Sequence, residues 1–131
     1  MDSNHNILGL SFLSGKEKTP GGVYKRHLRI VISPPDEEDN SIVISIQTLR
    51  GNVNTDCIID IGEHDFIKHK SVVNFSRTRI MNGDDILKGI TDGPLINKGA
   101  VSETLLLKLQ NAAKKSDRIS KNIKQILDKM I

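Results

Sequence analysis

The chain has 131 residues, 37% of them hydrophobic, and a net charge of +3, which suits one domain with an aliphatic core and is too little for two. Only four aromatic residues occur, Phe12, Tyr24, Phe66 and Phe75, and the lone Cys57 excludes an internal disulfide. No apolar run approaches the roughly eighteen residues of a transmembrane helix, and the first residues lack the basic start of a signal peptide, so a soluble, cytoplasmic protein with no membrane partner is expected.

Residues 1–22 read as a flexible N-terminal arm, because Gly15, Pro20, Gly21 and Gly22 cluster there with charged residues. The domain proper is expected over 23–131. Leu28–Ser33 alternates as a strand and is ended by Pro34-Pro35, which cannot donate to a ladder. After an acidic turn at Asp36–Asn40, Ser41–Leu49 forms a second strand with Ile42, Ile44 and Ile46 on one face, and the short spacing predicts an antiparallel hairpin. A turn at Gly51–Asn54 leads to a third strand at Asp56–Ile61, broken by Gly62. Cys57 is expected to be buried in that strand. A fourth strand runs over Ser71–Ile80 and ends near Asn82-Gly83, a pair with turn chemistry.

Glycines and a proline give Ile86–Gly99 a loop character, with a short turn of helix near Asp85–Lys88. Ser102 is an N-cap candidate with Glu103 in the first turn. Leu105, Leu106, Leu109, Ala112 and Ala113 then make an apolar stripe. A second helix restarts at Ser116, its stripe being Ile119, Ile123, Ile126, Leu127 and Met130. This face either packs on the sheet or docks a partner protein. The fold class is therefore α+β: a small antiparallel sheet or barrel followed by two C-terminal helices. From Lys108 to the end, seven Lys or Arg face two Asp, leaving the rest of the chain at −2. That basic face is either solvated surface or a nucleic-acid patch.

Four histidines occur, His5, His27, His64 and His69, with no His or Cys pair at zinc-site spacing. No metal or other cofactor is expected. Gly62–Ser71 concentrates His64, Lys68, His69, Lys70 and Ser71 between two strands. Ammonium, imidazole and hydroxyl groups together suit an anion and can move protons near neutral pH. The same stretch also reads as a polar connection anchored by Phe66 and Ile67. Lys25, Arg26, His27 and Arg29 form a second basic cluster at the start of the first strand.

The succession His27–Ser33 (HLRIVIS), Ile42–Thr48 (IVISIQT) and Gly62–Phe75 (GEHDFIKHKSVVNF) resembles the PemK/MazF-like toxin family, in its divergent branch with a GEHxFIxHxS-type motif. The resemblance implies a strongly bent SH3-like β-barrel, often homodimeric, that cleaves single-stranded RNA without metal. The ribose 2′-hydroxyl would be the nucleophile, and a cognate antitoxin would be the protein partner. Thr48 and Ser71 match family positions. His27 stands where typical members carry the Arg of an Arg-Pro pair, and the family's usual first strand has no counterpart before residue 23. On this reading the catalytic set is His27, Thr48 and His64, with the two imidazoles as base and acid in either order. Lys68 and Ser71 hold the scissile phosphate with Thr48, while Lys25, Arg26, Arg29 and His69 contact the RNA. In an antiparallel hairpin the start of one strand neighbours the end of the other, which would gather these residues at one rim. The alternative is a non-catalytic barrel that binds a protein partner or nucleic acid.

Overall fold

The computed structural model describes residues 6–14, 17–18, 24–49 and 57–131, with backbone alone for 17, 18, 24 and 25. His5 and the turn expected at Gly51–Asn54 lie outside the described residues. Among the described residues, eight strands and three helices follow in the order β1 (Leu10–Leu13), β2 (Glu17–Lys18), β3 (Tyr24–Lys25), β4 (Leu28–Val31), β5 (Asn40–Thr48), β6 (Ile58–Ile59), β7 (Ser71–Asn82), α1 (Gly83–Asp92), β8 (Ile96–Ala100), α2 (Glu103–Lys115) and α3 (Lys121–Met130). Six strands form one curled antiparallel sheet, ordered β6-β7-β5-β4-β1-β8, and β2 pairs with β3 in a separate ribbon.

The β4–β5 hairpin has the expected antiparallel pairing, with Leu28 opposite Ile46 and Val31 opposite Val43. Its isoleucines point to one face, where Leu28, Ile30, Ile42, Ile44 and Ile46 join Val73 and Phe75 of β7 under Leu105, Leu109, Ala113 and Leu127 of α2 and α3. On the other face Val31 and Val43 meet Phe12 and Ile86 of α1. Period-two alternation thus serves two apolar layers. The curl has a local cause. Between the Ser45–Asn74 and Val43–Arg79 pairs, β7 carries three more residues than β5, and the Thr78 hydroxyl bonds the Phe75 carbonyl at 2.7 Å inside this bulge. Unpaired residues on one strand bend it and increase its twist.

Three features depart from the sequence expectations. The arm expected over 1–22 contains β1, which lies inside the sheet between β4 and β8 with Phe12 fully buried. A strand therefore does precede residue 23. The loop expected over 86–99 holds most of α1 and β8 instead. Asn82 caps α1 by accepting from the Asp85 amide, and a Cβ at Gly89 would lie 2.7 Å from Leu95, so this glycine marks a close approach and not a break. Of the third strand expected over Asp56–Ile61, the described residues are extended at Ile58–Ile59, paired with Val72 and Ser71, and Asp56 lies outside the described residues. Cys57 beside it is buried, as expected.

The two C-terminal helices break where expected, after Lys115, but Ser116 closes α2 and the second helix starts four residues later on the Ser120 cap. Ile119, 5% exposed, pins the link between them. Their apolar stripe packs on the sheet. Among the described residues no helix is long and apolar enough to cross a membrane.

Phe12 gives the sharpest check on the N-terminal strand. Phe12→Ala should cost about 3–5 kcal/mol and Leu109→Ala about 2–5 kcal/mol in chemical denaturation. A loose arm would make the first substitution silent.

Candidate functional site

Strand pairing sets the site. Leu28 lies opposite Ile46, and Thr48 lies opposite Ser71, so the start of β4, the end of β5 and the start of β7 meet at one rim. An open cleft of about 870 Å³ occupies that rim, lined by Arg26, His27, Gln47, Thr48, Ser71 and the 65–69 segment, with Lys98 entering from β8. His27 is half-buried there, and its carbonyl accepts from the Ser14 amide at 2.9 Å. Thr48, Lys68 and His69 are exposed. The Ser71 hydroxyl donates to the His69 carbonyl at 2.8 Å. Arg26 reaches across to the Pro94 carbonyl at 3.3 Å.

The loop over residues 60–70 forms the far wall, and it is held by contacts of different kinds. Ile67, 5% exposed, inserts into the core. Glu63 pairs with Lys108 of α2 at 2.9 Å. His64 provides the third attachment. Its Nδ1 accepts from the Phe66 amide at 2.9 Å, and its Nε2 lies 2.8 Å from the Ser11 hydroxyl. Ser11 in turn donates to the Gly99 carbonyl at 2.6 Å. These partners fix the tautomer, because an accepting Nδ1 leaves the proton on Nε2, which donates to Ser11. A buried chain of hydrogen bonds therefore links the loop to β1 and β8.

Five of the sequence-derived residues with described side chains share the cleft with Arg26: His27, Thr48, Lys68, His69 and Ser71. Two do not. His64 is buried behind the wall with both nitrogens engaged, which is the opposite of an acid or base presented to substrate. Arg29 is 2% exposed, because alternation along β4 turns it to the face away from the cleft-lining Leu28. The side chain of Lys25 lies outside the described residues. Sequence reasoning missed Lys98 and treated Phe66 as an anchor. Ile67 alone fills that role, while Phe66 remains 38% exposed at the cleft with the Lys98 ammonium 5.1 Å from its ring centre.

Among the described lining residues, three cations, Arg26, Lys68 and Lys98, outnumber the Asp65 carboxylate in a cleft that also holds two imidazoles and two hydroxyls. Such a set attracts an anion and can move a proton at it. Among the described residues no three His, Cys, Asp or Glu side chains converge as metal ligands do. Comparison with protein-family models, with curated proteins and with solved structures gives no match.

Burial pulls the His64 pKa below its ordinary 6.5, against the smaller opposing effects of Asp65 and the Lys98 backbone. The unfolded imidazole binds a proton first, so stability should be full above pH 6.5 and should fall as the pH drops from there through the folded value. Denaturation midpoints measured from pH 7.5 to 5 should show this slope, and His64→Ala should lower stability throughout while flattening it. An unchanged slope in the variant would assign the acid sensitivity elsewhere.

Proposed function

We propose that the domain is a strongly bent, SH3-like barrel of the PemK/MazF-like toxin type, and that its cleft binds single-stranded RNA and cleaves it without metal. The observation that carries this reading is the meeting of His27 and His69, far apart in sequence, with Thr48, Ser71 and Lys68 in one cationic cleft. A polyanion needs the cations, and transesterification needs a base and an acid on opposite sides of one phosphate.

The chemistry follows from those groups. One imidazole takes the proton of the ribose 2′-hydroxyl as its oxygen attacks the adjacent phosphorus. The bond from phosphorus to the 5′-oxygen breaks, and the other imidazole protonates that oxygen. A 2′,3′-cyclic phosphate and a 5′-hydroxyl result. Lys68 and Arg26 offset the charge that builds on the phosphoryl oxygens, while Thr48 offers a hydroxyl donor. Ser71 holds the backbone of His69 through its bond to that carbonyl. His69 thereby takes the part first given to His64, whose imidazole is committed to the loop. The type also implies action in the cytoplasm, a homodimer, and an antitoxin that blocks the cleft.

The withdrawal of His64 from the cleft favours a second reading, a barrel that binds nucleic acid or a protein partner without chemistry. The two separate cleanly. Purified protein should cleave long RNA in EDTA, a 2′-deoxy substitution at the cut site should abolish cleavage, and His27→Ala and His69→Ala should each slow it roughly 10²–10⁴-fold. Turnover indifferent to both substitutions would remove the mechanism. Binding without turnover across varied RNAs would leave the second reading.

A further inference from the structure

Phe66 is not the residue that anchors its loop. The loop over residues 60–70 already has its apolar anchor in Ile67, which is almost fully buried, whereas the next-door phenyl ring stays 38% exposed on the cleft wall. Leaving a large apolar ring in water forgoes the free energy of burying it. The position is nonetheless well defined. The Phe66 amide is tied to His64 Nδ1 at 2.9 Å, the other nitrogen of that imidazole is tied through Ser11 to Gly99, and Lys98 next to Gly99 sets its ammonium 5.1 Å from the ring centre. The two other phenylalanines, Phe12 and Phe75, lie in the core at 0% and 1% exposure. Phe66 is the phenyl ring among the described residues that reaches the cleft surface.

With Lys98 over one face of the ring, a fixed, partly exposed aromatic among cations is an arrangement that can take a nucleobase on its other face while the cations take the backbone. We infer that Phe66 is a stacking platform for one base of a bound single-stranded RNA, and that Lys98 contacts the phosphate next to that base. This inference rests on the reading of the cleft as an RNA site and adds how the strand is gripped. Stacking accepts every base, so the platform gives affinity with little sequence preference. His64 is then a positioning residue. It holds the Phe66 backbone on one side, and on the other the β1–β8 contact from which Lys98 projects.

The test is equilibrium binding, by fluorescence anisotropy, of short labelled 2′-O-methyl RNA strands that cannot be cleaved. One strand carries bases and the other has the same phosphates but abasic sugars. Wild-type protein should bind the base-bearing strand more tightly. Phe66→Ala should weaken that binding about 5- to 150-fold, the worth of one stacked base, and leave the abasic strand nearly unaffected. Phe66→Trp should retain binding, and Phe66→Leu, which keeps apolar bulk without an aromatic face, should behave like the alanine variant. Equal losses on both strands, or leucine binding as well as phenylalanine, would overturn the stacking role while leaving the cleft as an RNA site. Failure of the wild-type protein to bind either strand would overturn the cleft reading and the platform with it.

Discussion

Apolar cover on both faces of β4 and β5 is the constraint on which the rest of the structure depends. Each strand in the middle of the sheet has its backbone groups satisfied by two neighbours, and its side chains leave alternately from both faces. In β4 and β5 most of those side chains are buried, Arg29 among them. Two layers must therefore be supplied. The C-terminal helices give one, with Leu105, Leu109 and Leu127, and α1 gives the other, through Ile86 against Phe12 and Val43. Branched aliphatic residues provide most of the volume in a chain with four aromatics.

The cleft is what remains at the end of the sheet that neither layer covers. Its floor is inherited from strand register, since the pairings that join β4 to β5 and β5 to β7 fix His27, Gln47, Thr48 and Ser71 at neighbouring positions. Its far wall is a loop without regular structure, and an aliphatic plug, an ion pair and a buried imidazole hold it in place. Backbone placement of this kind leaves the tips of Lys68 and His69 exposed while the chain beneath them is fixed, with the Leu49 amide bonded to the Lys70 carbonyl at 2.9 Å. Rigid support under exposed polar groups is what a binding or reacting surface requires.

How much of this was legible in the sequence varies with the range of the forces involved. Alternating isoleucines marked β5, the two prolines marked the end of the strand before it, and Ser102 marked the start of α2. The meeting of His27, Thr48 and Ser71 also followed from hairpin geometry. Other features depended on contacts distant in sequence. The four-residue strand β1 is flanked by loop-like composition, and β8, with Asn97, Lys98 and Gly99, is a polar edge strand without an apolar alternation. Gly89 imitated a helix breaker because Leu95 needs the space. His64 and His69 could not be told apart, since both lie in a loop of no fixed period and the bond that holds His64 inward comes from Ser11, distant in sequence. Arg29 was a different kind of oversight. Its place between Leu28 and Ile30 already put it on the opposite face of the strand.

The pairing of β1 with β8 joins Leu10 to Ala100, a separation of 90 residues along the chain. Closing a loop of that length costs chain entropy before any contact repays it, whereas the β4–β5 hairpin closes over a short turn. Lys98 reaches the cleft, and Ser11 reaches His64, only through this long-range closure. The cationic wall of the site is thus assembled by the entropically most demanding contact described in the sheet, although the residues opposite it are brought together by one of the least demanding.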